Sequence, residues 1–527
     1  MTKSVLLIVV DQWRGDTLEH LGHPHIKTPN VTRLARRGVT FANHYCQGVP
    51  CGPARAALLT GTYQMTHRVT RNGTPLDASL ATLPKELRRA GYDPALTGYT
   101  TTTPDPRVTA PNDPRYATHG DLMDGFRVLN SFAPDKHPYF AWLRTQGYDV
   151  PASKEDLWDP EHLAETRTGS LELPSPIKAE HSDTAWFTEG ALDYLRHHAG
   201  TPWFLHYGLY RPHPPFCAPA EFLGLYDPAR LDGPLRAASP AQEAAQHPLL
   251  KLLLGRIDQK KFMSNRQGPG AAMNDGEVRQ MRAHYYGLIS EADHHLGRIL
   301  DELEASGEID NTLIVFTCDH GEQLGNHHLL GKVGYFRDSY HIPLIVCDPS
   351  ATAAATRGQT VEAFTESVDV MPTVLEWLGQ PVPRQCDGHT LLPFCHGHPP
   401  AKWRDGVFFE FDFREVVDPT VEQRFGIEMD ECCLAVYQTE RWKYVHFAAL
   451  PPLLFDLEND PGEFDNLAGD PAFAEFLAEM AQKLLSRRMA HANRSLTGYF
   501  ATGGLHHRVD GVPAQVTDGE ALARAAE

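Results

Sequence analysis

Short apolar runs without polar alternation dominate the first two thirds of the chain. The runs are SVLLIVV (4–10), PALTGY (94–99), PWFLHYGL (202–209), TLIVFT (312–317) and IPLIVC (342–347). Runs of this kind are typical of strands that are buried on both faces of a parallel sheet. The segments between them show helical periodicity, and the longest covers 278–306. We therefore expect an α/β fold with a central, mostly parallel sheet that helices cover on both faces.

The pattern changes after about residue 385. GVFFEFDF, CCLAVYQTERWKYVHFA and LLFDLENDPGEFDNLAGDP are short runs bounded by turn residues, and a segment with helical periodicity follows at 473–492. This texture predicts a smaller α+β unit with an antiparallel sheet. We predict a main domain over 1–384, the smaller subdomain over 385–492, and an arm or disordered tail over 493–527.

Charge and composition limit the partners that the protein can have. A net charge of −19 argues against nucleic acid or an anionic membrane, because most of the surface would repel either one. Asp11 ends the first apolar run too early for a secretory signal, and no stretch is long enough to cross a bilayer. The nine scattered cysteines lack the spacing of a zinc site or a redox pair. We predict a soluble, cytoplasmic protein.

Polar side chains follow four of the apolar runs where each predicted strand ends. They are Asp11 and Gln12, Tyr99 and Thr101, His213, and Asp319 and His320. In open α/β sheets, ligands bind beyond the carboxyl ends of the strands, so these side chains are expected at one site. Each residue alone has a structural explanation, since Asp and Thr often cap helices and a buried His is often purely structural. Their coincidence favours a functional site.

Four of these residues could together bind a divalent cation. Oxygen ligands from Asp11, Gln12 and Asp319 favour Mg²⁺, Ca²⁺ or Mn²⁺, and the imidazole of His320 moves the preference toward a transition metal. We predict Mn²⁺, with Ca²⁺, Zn²⁺ and Fe²⁺ as alternatives. The segment HGEQLGNHH (320–328) does not contain H-E-x-x-H, so a metalloprotease zinc helix is not predicted.

The stretch VPCGPARAALLTG (49–61) places a cysteine at the start of a predicted helix. Pro53 suits the first turn and helix-forming residues follow, so Cys51 is expected near the N-cap. Free N–H groups at a helix N-terminus create a positive potential, which would acidify a thiol and make it a nucleophile. A structural cysteine beside a proline is the alternative interpretation.

The same stretch resembles the sulfatase signature, C-x-P-x-R followed by L-x-T-G, in which a dedicated enzyme oxidises the cysteine to formylglycine. Further similarities are TPNVTRLARRGVTFANHYC, the later T-x-D-H-G-E-x-L-G-x-H and FDLENDPGEFDNLA, so the resemblance extends over roughly the first 480 residues. Sulfatases belong to the alkaline phosphatase superfamily. The resemblance therefore implies an alkaline phosphatase-like α/β sandwich, with residues 1–384 as its catalytic domain.

Within that family, the chain looks most similar to the phosphonate monoester hydrolase branch, which also hydrolyses phosphodiesters and, promiscuously, sulfate esters. Typical sulfatases have a G-K-W-H-like segment where this chain has GYTTT (98–102). They also tend to have Asp-Asp and Asp-Asn where this chain has Asp11-Gln12 and Asp319-His320. One departure from the general signature is Ala54, where serine is commoner.

The resemblance implies a role for each candidate residue. Cys51, converted to formylglycine, would supply a nucleophilic oxygen from its hydrate, and Arg55 would orient that hydrate. The metal would be held by Asp11, Gln12, Asp319, His320 and the hydrate at position 51. The substrate oxyanion would be lined by Asn72, Tyr99, Thr101, His213 and Lys332, and His213 would protonate the leaving group.

The activity implied is that of a formylglycine- and metal-dependent hydrolase of phosphonate monoesters and phosphodiesters, acting through a covalent intermediate. An arylsulfatase or choline-sulfatase-like enzyme is the nearest alternative, and a binding protein that keeps Cys51 as a thiol is a third. The implied partners are a small anionic ester as substrate and the formylglycine-generating enzyme. Members of the resembled branch form tetramers through C-terminal arms, so a homotetramer that uses residues 493–527 is expected.

Overall fold

A computed structural model of the chain describes residues 3–515, except 119, 134–135, 154–155, 163, 496, 502–503 and 510–511. The strands are β1 Ser4–Asp11, β2 Val39–Phe41, β3 His44–Tyr45, β4 Gly48–Val49, β5 Ala95–Gly98, β6 Arg127–Ser131, β7 Phe204–Pro212, β8 Thr312–Cys318, β9 Leu344–Cys347, β10 Thr360–Val361, β11 Thr365–Glu366, β12 Gly406–Asp412, β13 Cys433–Thr439, β14 Trp442–Phe447, β15 Leu453–Asp456, β16 Tyr499–Ala501, β17 Leu505–Val509 and β18 Val512–Gln515. The α-helices are α1 Pro29–Ala35, α2 Cys51–Thr60, α3 Gln64–His67, α4 Leu83–Arg89, α5 His137–Thr145, α6 Asp183–His198, α7 Ala220–Leu223, α8 Pro240–Ala244, α9 Pro248–Arg256, α10 Asp275–Ala305, α11 Val370–Trp377, α12 Leu392–Cys395, α13 Thr420–Phe425 and α14 Ala474–Ala490.

The large sheet has eight strands in the order β10-β2-β9-β8-β1-β7-β5-β6. Strand β1 lies inside the sheet and is parallel to both of its neighbours, β7 and β8. Only β9 runs against its neighbours, since it is antiparallel to β8 and to β2. The predicted α/β fold with a mostly parallel sheet is confirmed, and all five apolar runs contain strands of this sheet.

The two faces of β1 are buried in two different cores, which explains why its sequence does not alternate. Leu6, Ile8 and Val10 pack into a core that α6 and α10 cover. Leu7 and Val9, which lie between them, pack into a second core that α2, α4 and α11 cover. Because apolar side chains pack against both faces of the strand, an apolar residue at each of these positions is buried and stabilises the fold.

A second sheet occupies the C-terminal region, in the order β15-β14-β13-β12-β4. Strands β12 to β15 pair in antiparallel fashion, and α14 packs on the sheet through the buried Met480 and Leu484. The predicted smaller antiparallel unit is therefore confirmed. Its edge strand β4, however, comes from residues 48–49 and runs parallel to β12. The C-terminal sheet thus holds the segment that leads directly into Cys51.

The remaining described residues add two facts that bear on the sequence predictions. Strands β16, β17 and β18 form a separate antiparallel sheet in the predicted arm, whose residues 516–527 lie outside the described part of the chain.

Among the helices within the described part of the chain, none combines the length and the apolar character that a bilayer crossing requires. The domain boundaries at 384 and 492 stay predictions.

Candidate active site and metal centre

The site forms where β1, β7 and β8 end together. Val10 is in register with Cys318 of β8, and Asp11 is in register with Pro212 of β7. The polar residues that follow these positions therefore meet at one edge of the sheet, as the strand-end argument predicts. Asp11 and Asp319 are at most 1% exposed, so their charges require partners within the protein.

Cys51 is the first residue of α2 and points into the same edge. Its Sγ lies 3.2 Å from Nε2 of His320, and the side chain is buried. Burial raises the pKa of the Cys51 thiol, and the charge of Asp11 raises it further, which outweighs the lowering by Lys332. The expectation of a thiol acidified by the helix N-terminus is therefore wrong. Unmodified, this cysteine is a weak nucleophile.

Four side chains at this edge have the arrangement of a metal centre. Ligand atoms of Asp11, Cys51, Asp319 and His320 all lie within 4.8 Å of one another. His320 Nδ1 donates to the carbonyl oxygen of Gly321, so the lone pair of Nε2 faces the cluster. No described residue donates a hydrogen bond to Asp11 Oδ1, although this oxygen is buried. A buried carboxylate oxygen without a described hydrogen-bond donor, beside an imidazole nitrogen whose lone pair faces the Cys51 sulfur, fits a divalent cation.

Arg55 connects the two carboxylates of this cluster. Its Nε donates to Asp319 Oδ2 at 2.9 Å and its Nη2 donates to Asp11 Oδ2 at 3.0 Å. The third nitrogen, Nη1, donates to the carbonyl oxygen of Tyr99 at 2.9 Å, and the Tyr99 hydroxyl donates to Asp11 Oδ2. Two nitrogens of Arg55 therefore orient the carboxylates and the third holds the Tyr99 backbone, while Asp11 Oδ1 receives no hydrogen bond from the described residues.

Asp11 stays ionised in this setting. Burial alone would raise the pKa of its carboxyl, but the positive charges of Arg55 and Lys332 hold that pKa well below its ordinary value. An ionised, fully buried carboxylate with one free oxygen is the strongest attraction for a cation at this site.

Gln12 lies between a lysine and a glutamate. Lys332 Nζ donates to Gln12 Oε1, and Gln12 Nε2 donates to Glu322 Oε2. The backbone of Gln12 has a φ of 69°, which is uncommon for a residue with a Cβ. Its N–H donates to Asp319 Oδ1 at 3.2 Å and its carbonyl oxygen accepts from the Tyr285 hydroxyl at 2.8 Å. Both backbone groups are thus held in place.

Glu322 is a site residue that the sequence reasoning missed. It is fully buried, and the backbone N–H groups of Leu324 and Gly331 donate to its Oε1. Burial raises the pKa of the Glu322 carboxyl above its ordinary value, and these hydrogen bonds and the charge of Lys332 offset only part of that rise. The only signal in the sequence was its place in the motif T-x-D-H-G-E.

His213 follows β7 and lies beside the ring of Tyr210, with ring centroids 4.6 Å apart. Its Nδ1 donates to the carbonyl oxygen of Pro214 at 2.7 Å, so Nε2 carries the lone pair. Burial and the charge of Lys332 lower the pKa of His213 well below its ordinary value. The imidazole is therefore neutral in the free protein, and its predicted acid role requires a proton acquired with the substrate bound.

Arg211 positions the segment that carries His213, and sequence reasoning missed this residue as well. It is buried and forms an ion pair with Asp183 at 2.8 Å. Its Nη1 donates to the carbonyl oxygens of His213 and Pro215 at 3.0 and 2.9 Å. Arg211, which Asp183 holds in place, therefore fixes the backbone at His213 and at Pro215.

The other two predicted substrate-binding residues are Asn72 and Thr101. Asn72 Oδ1 accepts a hydrogen bond from the N–H of Gly52 at 2.7 Å, which places Asn72 beside the start of α2. Thr101 is buried with a φ of 51°, two residues beyond Tyr99. Within the described residues, no side-chain hydrogen bond joins Thr101 to the cluster. The roles of both residues stay predictions.

Similarity to known proteins covers nearly the whole chain. Residues 3–380 match the family described as "Sulfatase", and residues 325–490 match "N-sulphoglucosamine sulphohydrolase, C-terminal". The chain is 52% identical over 502 residues to the multifunctional alkaline phosphatase superfamily protein PehA of Trinickia caryophylli, with 94% of this chain and 97% of that protein covered.

Two solved structures share the fold closely. The phosphonate monoester hydrolase of Agrobacterium radiobacter superposes with a TM-score of 0.91 at 40% identity, with 98% of this chain and 100% of that chain covered. The phosphonate monoester hydrolase SpPMH from Silicibacter pomeroyi gives a TM-score of 0.90 at 38% identity, with 96% and 99% covered. The resemblance inferred from the motifs is confirmed.

Proposed function

This chain belongs to the sulfatase family and is a hydrolase of the alkaline phosphatase superfamily, and on that premise we propose that it hydrolyses phosphonate monoesters and phosphodiesters through a formylglycine formed from Cys51. The observation that carries the proposal is the buried cluster of Asp11, Cys51, Asp319 and His320 at the strand ends. The solved structures named phosphonate monoester hydrolases, at 40% and 38% identity, support this branch over other members of the family.

The metal site is proposed to use Asp11, Gln12, Asp319 and His320, together with the converted side chain at position 51. Three oxygen donors and one imidazole nitrogen suit Mn²⁺ well, because carboxylate and amide oxygens favour hard cations and imidazole favours transition metals. A bound divalent cation would lower the pKa of the nucleophilic hydroxyl and polarise the phosphoryl group.

The side chains of the protein position the nucleophile and the substrate. Residue 51 starts α2, so an oxygen at this position stands in the positive potential of the helix N-terminus. Lys332, whose ammonium group contacts Gln12, would balance the negative charge on the phosphoryl oxygens. Because phosphonate monoesters, phosphodiesters and sulfate monoesters each carry one negative charge, this electrostatic arrangement accommodates all three. Promiscuous sulfatase activity is therefore part of the proposal.

The substrate class can be tested with matched 4-nitrophenyl esters. We expect kcat/KM for phenylphosphonate monoester and for phosphodiester to exceed that for sulfate monoester by at least about tenfold, which corresponds to about 1.4 kcal/mol in the barrier. The assay uses Mn²⁺-loaded protein in which mass spectrometry has established the conversion of Cys51. Family membership also supports the arylsulfatase alternative, and the highest kcat/KM on the sulfate ester would favour it.

A variant of His213 tests its proposed role as general acid. His213→Ala should lower kcat/KM on a phenyl ester, whose leaving group needs protonation, by about 10²- to 10⁴-fold. The same variant should lose much less on the 4-nitrophenyl ester, because 4-nitrophenolate leaves without a proton. Equal losses on the two esters would show that His213 does not protonate the leaving group.

The assembly and the maturation partner are also proposals. We propose a homotetramer in which the arm that contains β16 to β18 contacts other copies of the chain, and a formylglycine-generating enzyme as the maturation partner. The arm forms a sheet of its own in the described residues, which is consistent with an element that packs elsewhere. A cytoplasmic location stays a prediction.

A further inference from the structure

We infer that Glu322 is a positioning residue which fixes the Gln12 amide so that its oxygen, and not its nitrogen, faces the metal centre. The inference rests on the proposed metal-dependent function and goes beyond it, because it assigns a task to a side chain outside the set of metal ligands. It depends on the contacts of three side chains, Gln12, Glu322 and Lys332.

The hydrogen-bond chemistry of these side chains allows one orientation of the amide. An ammonium group can only donate, so the end of Gln12 that faces Lys332 must be the oxygen. A carboxylate can only accept, so the end that faces Glu322 must be the NH₂ group. The opposite orientation would set two donors against each other at Lys332 and two acceptors against each other at Glu322.

Glu322 can perform this task because it is itself held rigidly. One of its oxygens accepts from the N–H groups of Leu324 and Gly331, which leaves the other for Gln12. Gly331 directly precedes Lys332, so Glu322 anchors both the amide and the segment that carries the ammonium group. Since it is fully buried, water does not compete for these contacts.

The arrangement also explains why an amide at position 12 can serve as a metal ligand. An amide bears no charge, and only one of its two ends is suitable for a cation. A partner that selects the oxygen end removes the unproductive orientation before the metal arrives, which is how outer partners of metal ligands raise affinity. The backbone of Gln12 is held separately by Asp319 and Tyr285, so at residue 12 Glu322 orients only the side-chain amide.

The isosteric substitution Glu322→Gln tests the inference. The single oxygen of the new amide will satisfy the two backbone donors, because leaving both unpaired is costlier. Its NH₂ group then faces Gln12 and forces that amide to turn its nitrogen toward the metal centre. We expect the dissociation constant for Mn²⁺, measured by calorimetry on the full-length protein, to rise by about 10- to 100-fold.

A second substitution at position 12 should reverse this loss. In Glu322→Gln combined with Gln12→Glu, the carboxylate accepts from the new NH₂ group and presents its other oxygen to the metal. Affinity for Mn²⁺ should return to within about threefold of the parent, on the estimate that equivalent hydrogen-bond partners are restored. In the background Gln12→Ala, Glu322→Gln should add no further loss, because the amide on which it acts is absent.

Glu243→Gln is the matched control. Glu243 is also buried, with one oxygen accepting from the N–H of Ala237 and the other contacting His327, but it does not contact the site. This variant should lose stability and keep the parent dissociation constant. The proposal is overturned if Glu322→Gln binds Mn²⁺ as the parent does, if Gln12→Glu fails to restore binding, or if Glu322→Gln costs as much with Ala at position 12.

The outcomes separate this inference from the proposed function. If the parent binds Mn²⁺ but hydrolyses none of the esters, the proposed function fails and the affinity series still tests Glu322. If the parent binds Mn²⁺ and hydrolyses them, an unchanged affinity of Glu322→Gln overturns the inference alone. A parent that binds no Mn²⁺ contradicts both.

Discussion

Cys51→Ala should lower kcat on every ester of the panel by at least about 10⁴-fold, as the loss of a catalytic nucleophile does in other hydrolases. The physical reason is that no other described side chain at the cluster offers an oxygen nucleophile there. The carboxylates of Asp11 and Asp319 accept hydrogen bonds from Arg55. Burial raises the pKa of the Cys51 thiol far above the pH of the assay. The measurement is kcat with saturating Mn²⁺.

The fold should survive this change, because alanine fits the start of a helix and removes a single buried sulfur atom. Cys395→Ala is the matched control, since Cys395 is also buried at a helix but lies in the second core. It should keep the parent kcat. Undiminished turnover by Cys51→Ala would remove residue 51 as the nucleophile, and undiminished turnover by parent protein whose Cys51 is shown by mass spectrometry to be an unmodified thiol would remove the formylglycine.

Arg55→Met should destabilise the metal-free protein by about 3–5 kcal/mol, the usual cost of leaving buried charges without their partner. Two carboxylates, Asp11 and Asp319, would then face each other with no guanidinium between them. Mn²⁺ should restore part of the loss, because a cation that binds only the native state stabilises it. Turnover should fall by about 10²- to 10³-fold, since the carboxylates lose their orientation. Urea unfolding with and without Mn²⁺ measures the first two effects.

Arg404→Met separates the metal effect from general destabilisation. Arg404 is also buried, and it pairs with Asp369 and Glu366 away from the metal centre. Its loss should destabilise the protein comparably, while Mn²⁺ should stabilise this variant no more than it stabilises the parent. If Arg55→Met unfolds at the same urea concentration as the parent in the absence of metal, the bridging role of Arg55 is contradicted.

The architecture of the large sheet could be predicted because apolar runs without polar alternation are typical of strands that are buried on both faces. The run at 4–10 has no polar position, and the structure shows apolar neighbours on both of its faces. The pairing of β4 with β12 could not be predicted. A strand of two residues has no periodicity to detect, and its partner lies more than 350 residues later in the chain.

Some residues of the candidate site could likewise be predicted from the sequence, and others could not. Residues that end strands, such as Asp11 and Asp319, could be located because parallel strands bring their carboxyl ends together. Glu322 and Arg211 could not, since their tasks consist of contacts made by the folded chain, which no local pattern encodes. The predicted shift of the Cys51 thiol pKa has the wrong sign, because burial and the neighbouring carboxylates raise that pKa more than Lys332 and Arg55 lower it.

The attachment of β4 to the C-terminal sheet has a consequence for how the protein matures. Residue 51 is only 4% exposed in the folded protein. Strand β4, which ends two residues before Cys51, can pair with β12 only after residue 412 has been synthesised. The proposed oxidation of the Cys51 side chain would therefore have to take place on the ribosome or on an incompletely folded chain. The proposed conversion would then compete in time with folding, so a variant that folds faster should leave Cys51 unconverted and yield a well-folded protein without activity.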